Sequence, residues 1–197
     1  MSLYDYCLQT SRKGCLKKIV ISSFENHLKN EYIGSGVKQK LDRTFSLTLS
    51  GKDDSIVVAS REGYLLSKPV LQAAYTAEEI IKLGPTDYLV SAFACGKKPA
   101  LLVITNKGKV INREMSWLDS SDSGKQRGQP VFSAARREAG ARVAGAFAAE
   151  AEDFCILLCS NGKIMLYQVS ELLAAGSIGA LEDSDEVLDA AVISLSI

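Results

Sequence analysis

Histidine occurs once in 197 residues, as His27, and that scarcity removes whole classes of chemistry. A histidine-based triad needs a positioned imidazole beside a nucleophile, and the chain has no second imidazole to offer. The five cysteines (Cys7, Cys15, Cys95, Cys155, Cys159) form no C-x-x-C pair. Zinc-ligand spacing is therefore missing, the odd count argues against a disulfide framework, and the thiols read as core residues kept reduced. The phosphate loop G-x-x-x-x-G-K-[ST] is absent, and no pair of carboxylates stands at a convincing position. The Trp-Asp and Gly-His signals of one class of bladed interaction domains are also lacking. No apolar run approaches the length of a membrane span, and no signal peptide is apparent. These absences leave a non-catalytic chain without metal, cofactor, membrane or small-molecule substrate, expected in the cytoplasm. At 47% hydrophobic residues it has the means to bury a core.

What the chain does have is a repeat. Four times an apolar run enters a glycine turn and leaves as a second run bearing basic or amide side chains: around Gly14 (Q-T-S-R-K-G-C-L-K-K), Gly63 (V-A-S-R-E-G-Y-L-L-S-K), Gly108 (V-I-T-N-K-G-K-V-I-N-R) and Gly162 (L-L-C-S-N-G-K-I-M-L-Y-Q). The glycines lie 49, 45 and 54 residues apart. A period of that size denotes an array of one supersecondary unit. Three residues before the glycine stands a hydroxyl (Ser11, Ser60, Thr105) or, in the last copy, Cys159; two residues after it stands Leu16, Leu65, Val110 or Ile164. Glycine supplies the positive φ of a tight hairpin, here expected as a two-residue turn. Further glycines follow (Gly34 and Gly36, Gly84, Gly128, Gly179), and then β-prone runs at Phe45–Leu49, Tyr88–Phe93, Arg142–Phe147 and Val187–Val192. The first strands, Ile56–Ala59, Leu101–Ile104 and Phe154–Cys159, are apolar without alternation, as strands buried on both faces are. The expectation is an all-β single domain of about four blades of roughly 45–54 residues, with repeats near 4–50, 51–97, 98–150 and 151–197. Helical turns are expected only in connections, at Thr76–Leu83 and Ser170–Ala175.

Net charge is zero, but its distribution is lopsided. Residues 1–149 hold 22 Lys and Arg against 14 Asp and Glu, whereas residues 150–197 hold Lys163 alone against nine acids. The cations recur at equivalent places in the repeat: at the hairpin (Arg12, Lys13, Arg61, Lys107, Lys109), just after it (Lys17, Lys18, Lys68, Arg113), and at the glycine loop (Lys38, Lys40, Lys125, Arg127). Equivalent positions of stacked units map to equivalent surfaces, and duplex DNA, with one negative charge per ~1.7 Å, suits such a band. Lysine at hairpin tips also blocks edge-to-edge aggregation, which is the competing explanation for any single cation. The loop S-G-K-Q-R-G-Q-P (123–130) holds two cations between glycines, with Arg136, Arg137 and Arg142 soon after. The acids Glu182, Asp183, Asp185, Glu186 and Asp189 would weaken phosphate binding only by lying beside the basic rim, because screening removes longer-range effects. A bladed protein-interaction module without nucleic acid is the rival reading, and salt-dependent retention on DNA separates the two.

These repeats, above all A-S-R-E-G-Y-L-L-S-K-P (59–69), L-L-V-I-T-N-K-G-K-V (101–110) and the loop G-K-Q-R-G-Q-P-V (124–131), resemble the C-terminal domain of the A subunit of bacterial type IIA topoisomerases, DNA gyrase and topoisomerase IV. The resemblance implies a β-pinwheel, a propeller-like disc whose blades exchange strands. It further implies a basic rim that bends or wraps duplex DNA, nucleoid association, and no strand-passage chemistry in this piece. The implied partners are the remaining A-subunit domains and the ATPase B subunit of a larger enzyme. Four repeats are readable where the family usually shows five or six. No Q-R-R-G-G-R-G run occurs, Lys125-Gln126-Arg127-Gly128 being a partial echo, which shifts the resemblance from gyrase-type supercoiling towards topoisomerase IV-like bending or a divergent relative.

Overall fold

The computed structural model describes residues 4–25, 42–96, 100–119, 127–182 and 184–194, and in it each feature of the repeat has a task. The loops between the hairpin strands hold three or four residues, not two. The glycine N–H donates to the carbonyl three residues back: Gly14 to Ser11 (3.1 Å), Gly63 to Ser60 (3.0 Å), Gly108 to Thr105 (2.9 Å) and Gly162 to Cys159 (2.9 Å). The glycines carry φ of 88°, 90°, 71° and 82°, the left-handed residue that closes a bulged hairpin. The upstream hydroxyl then accepts the amide after the glycine: Ser11 Oγ from Cys15 N (3.0 Å), Ser60 Oγ from Tyr64 N (3.1 Å), Thr105 Oγ1 from Lys109 N (2.9 Å). Cys159 is a poor acceptor, and in the fourth copy Asn161 Oδ1 takes the Lys163 amide at 2.9 Å.

Each hairpin is the centre of an antiparallel sheet. The strands are, in chain order, β1 (Tyr6–Ser11), β2 (Cys15–Val20), β3 (Thr44–Ser50), β4 (Ser55–Ser60), β5 (Tyr64–Pro69), β6 (Glu78–Glu79), β7 (Leu89–Cys95), β8 (Ala100–Thr105), β9 (Val110–Glu114), β10 (Gln129–Pro130), β11 (Val143–Ala149), β12 (Phe154–Cys159), β13 (Ile164–Gln168) and β14 (Val187–Ile193). They assemble into four sheets ordered β3-β1-β2-β6, β10-β5-β4-β7, β11-β8-β9 and β13-β12-β14. The third long strands, β3, β7, β11 and β14, pack side by side in succession and set one blade beside the next. The architecture is all-β, with four blades as the repeat requires.

The outermost strand of a blade comes from the next repeat. β6 pairs with β2 (Cys15 with Glu79), β10 with β5 (Leu65 with Gln129), and Ser177 bridges Lys109 beside β9. An aliphatic residue after each donated piece bonds the hairpin glycine of the previous blade: Ile80 N to Gly14 O (2.9 Å), Val131 N to Gly63 O (2.8 Å), Ile178 N to Gly108 O (2.8 Å). Thr76–Leu83, expected as a helical turn, is therefore extended. The free edge of β2 offers backbone partners that a short isolated helix lacks. Ser170–Ala175 is helical as expected, within the helix Val169–Ala175; shorter turns occupy Ser22–Glu25, Ser116–Asp119 and Ala134–Glu138.

Three cores fill the gaps between neighbouring blades, and they explain the all-apolar β4 and β8. β12, expected to be buried on both faces, buries only Cys155, Leu157 and Cys159 fully and leaves Leu158 exposed, because the last blade has a neighbour on one side alone. In β4, Ile56 and Val58 face the first blade with Leu8, Leu16, Ile80 and Ile81, while Val57 and Ala59 face the third with Leu101, Val103 and Phe132. In β8, Leu102 and Ile104 turn to the fourth blade and pack with Cys155, Leu157 and Val187. A strand between two blades has no solvent face, so both faces select apolar residues. Burial pushes the Cys155 thiol up to about 12, as expected of a core residue.

One ion pair pins a donated strand. Burial alone would raise the Glu78 carboxyl, but Lys68 Nζ at 2.6 Å and the Ala74 N–H at 2.9 Å outweigh it and hold it below the usual range. A depressed folded pKa gives stability that is present above the unfolded value, ~4.3, and lost as pH falls through the folded one. Glu78→Gln is expected to cost on the order of 1 kcal/mol at neutral pH. Urea midpoints should show that deficit in full at pH 7 and a shrinking one as pH falls below ~4.3 and on through the lower folded value.

Candidate nucleic-acid interface

The hairpin of the first blade carries the best-ordered cations. Arg12 is exposed, yet its Nη1 donates to Leu89 O (2.9 Å) and its guanidinium lies 4.9 Å from the Phe45 ring and 5.3 Å from the Tyr88 ring. Lys13 Nζ reaches the carbonyls of Pro85 and Asp87, both at 3.2 Å. Arg61, at the place of Arg12 one repeat on, lies 5.8 Å from the same Tyr88 ring. Two successive hairpins thus hold a guanidinium against one tyrosine, a contact that fixes the side chain and leaves its charge unneutralised.

A second cluster forms on the third blade. Lys109 and Arg113, both exposed on or beside β9, and Arg136, from the turn Ala134–Glu138, line one concavity of about 240 Å³ together with Val110, Ile111, Asn112 and Val131. Among the described residues, no carboxylate lines it. Arg113 also lies 6.0 Å from the Trp117 ring. Arg136 belongs to a non-repeated turn, so the period does not mark it as a partner of Lys109. The extended course of Gln129–Val131 onto the second blade brings it there. Nearby, Arg127 and Arg137 stand 5.4 Å and 5.0 Å from the Tyr64 ring. Arg137 Nη1 donates to Phe132 O (2.8 Å) and Arg142 Nη1 to Arg137 O (2.9 Å), so these two largely brace the turn.

Lys18, Lys68 and Lys107, also expected at the rim, are engaged elsewhere. Lys18 is 2% exposed; its ammonium donates to Val70 O (2.9 Å) and Leu71 O (3.1 Å) between the rings of Tyr6 and Tyr75. It serves the fold and corrects the expectation of a phosphate ligand. Lys68 is held by Glu78. Lys17 is half-buried on the opposite face of β2 from Lys18. Lys107 pairs with Glu186 at 2.9 Å, and Asn106 Nδ2 approaches the same carboxylate at 3.3 Å. The hydrogen bond from Lys107 is the main reason the Glu186 carboxyl sits below its ordinary range. Glu186 thus lies beside a basic hairpin, whereas Glu182 turns to Lys163 (3.3 Å) and Asp185 to Asn161. Lys38, Lys40, Lys125 and Asp183 lie outside the described residues.

This architecture has close structural counterparts. The C-terminal domain of DNA topoisomerase IV superposes with a TM-score of 0.73 at 18% identity, over 98% of this chain and 63% of that one. The C-terminal domain of DNA gyrase A gives 0.66 at 16% identity, over 98% and 68%. The fold is the β-pinwheel of the topoisomerase IV and gyrase A C-terminal domains. The Escherichia coli ParC domain, at TM-score 0.58 and 12% identity, covers 95% of this chain and 79% of that domain. This pinwheel spans about 63% of the length of the topoisomerase IV domain it matches. No protein-family model matches the sequence, and no curated protein sequence does. The likeness therefore resides in the path of the backbone, and the cations must be argued from this chain's own geometry.

Proposed function

We propose that this pinwheel is a non-catalytic duplex-DNA-binding domain of a type IIA topoisomerase A subunit, one that holds and bends DNA through its phosphates. The observation that carries the reading is the concavity lined by Lys109, Arg113 and Arg136, with no carboxylate among the described residues of its wall. At about 240 Å³, with three cations among seven lining residues, it has room for a phosphate group and its water. The guanidiniums of Arg12 and Arg61, each held against Tyr88, extend the charge to the other two basic blades. Lys13, Lys17 and Arg127 add to the same set, as do Lys38, Lys40 and Lys125 by their place in the repeat. The fourth blade, with Lys163 engaged by Glu182, lies off the path. Its acidic stretch limits the third hairpin through Glu186 and Lys107. The remaining A-subunit domains and the ATPase subunit are the proposed partners, in a cytoplasmic, nucleoid-associated enzyme.

Bending distinguishes this role from simple retention on DNA. A duplex well below the persistence length of ~150 bp, labelled at both ends, should show a rise in energy transfer on saturation with the domain. Saturable binding with unchanged transfer would mean that the DNA is held straight and would remove bending from the reading.

A further inference from the structure

The fourth blade lacks what the other three have. In the first three, the carbonyl of the hairpin glycine accepts an N–H from the following repeat, at 2.9, 2.8 and 2.8 Å. A Cβ built on Gly14, Gly63 or Gly108 would meet atoms of that following segment at 2.8, 2.4 and 2.9 Å, whereas one on Gly162 meets nothing within 4 Å. The aliphatic side chain two residues after the glycine reports the same difference: Leu16 and Leu65 are 0% exposed and Val110 7%, but Ile164 is 72% exposed. Two residues further on, where the other blades have Lys18, Ser67 and Asn112, the fourth has Leu166, also exposed. Among the described residues, no strand pairs with the outer edge of β13.

We propose that this edge is a strand-acceptor site. Its occupant is an extended peptide segment with the chemistry of the molecule's own donated pieces: two residues of unpaired backbone followed by Val or Ile. Continuity with the three exchanges fixes the register. The occupant pairs opposite Lys163 and Ile164, accepts the Ile164 N–H as Gly176 O accepts that of Val110 (3.0 Å), and donates its aliphatic residue's N–H to Gly162 O. Its side chain covers Ile164 as Phe132 and Val131 cover the second hairpin. An edge strand with exposed aliphatic residues and no lysine, proline or bulge at its centre has no guard against such pairing, and backbone pairing with one apolar anchor is a recurrent mode of peptide capture. The proposal concerns a protein segment and is independent of the nucleic-acid reading.

The test uses the full chain and a fluorescent peptide of residues 127–134, R-G-Q-P-V-F-S-A, the natural donor to the second blade. Saturable binding is expected, weakened about tenfold or more by Ile164→Pro, which removes the outward N–H, and by Val→Asp within the peptide. A scrambled peptide of the same composition separates pairing from attraction of its arginine to the acidic blade. On the unmodified chain, amide exchange at Ile164 should slow when the peptide is added, a readout that does not depend on the variant folding. Equal binding of the scrambled peptide, or no protection of the Ile164 amide at saturation, would overturn the assignment. So would a concentration-dependent dimer of the chain that Ile164→Pro disperses, since the edge would then belong to a second copy.

Discussion

Changing Lys109, Arg113 and Arg136 together to alanine is expected to weaken duplex binding roughly 30- to 100-fold at low salt, equally on all sequences. All three line one concavity that has no carboxylate among its described residues, so each is expected to displace a counterion from DNA. Each phosphate neutralised contributes about −0.9 to the slope of log K against log salt, and the triple variant should flatten that slope by between two and three. The side chains are exposed and none belongs to an interblade core, so thermal stability should change little. Anisotropy titrations with a labelled duplex at several salt concentrations, beside a melting curve, check both halves of the expectation. A slope that stays the same would place the phosphates elsewhere on the disc.

Gly63→Ala should be the most damaging small substitution in the hairpins. A methyl there would stand 2.4 Å from the Phe132 ring, at φ of 90°. Either the backbone leaves the left-handed region or Phe132 leaves the groove between the second and third blades. The second costs a large part of a buried aromatic, ~3–5 kcal/mol when a phenylalanine is truncated outright, so a loss of about 3 kcal/mol is expected. Gly162→Ala is the matched control: φ is 82° but nothing lies within 4 Å of the added carbon. Only the backbone penalty remains, about 1 kcal/mol. Chemical denaturation of the two variants compares them directly. Equal losses would show that the glycines matter for φ alone and that strand exchange does not crowd the first three hairpins.

The hairpins were legible because their geometry needs particular atoms. Positive φ calls for Gly14, Gly63, Gly108 and Gly162, and the bulged turn calls for an acceptor at Ser11, Ser60 or Thr105. The all-apolar strands β4 and β8 followed from burial on both faces. Strand exchange was less visible, because the donors read Glu-Glu-Ile, Gln-Pro-Val and Gly-Ser-Ile and share only the one aliphatic residue that closes each. Main-chain hydrogen bonds carry no side-chain signature, and by sequence Thr76–Leu83 is as compatible with a helical turn as with a donated strand. Charge was legible in bulk and not residue by residue. Lys18 stands two residues beyond Leu16 on the same strand, and the period of two puts both on the buried face. That alternation was a signal the basic count obscured. The grouping of Arg136 with Lys109 and Arg113 had no counterpart in the sequence, since it arises from a crossing of chain segments between repeats.

The central claim is that three of the four blades present phosphate-binding cations to duplex DNA. Its most direct test is the salt dependence of binding by the unmodified domain to unrelated duplexes of equal length. The account predicts saturable binding with log K against log salt sloping at about −4 to −5, as for four to six neutralised phosphates, and the same slope for every sequence. A slope near zero, or no binding at low salt by a folded domain, would contradict it and leave the disc a protein-interaction module.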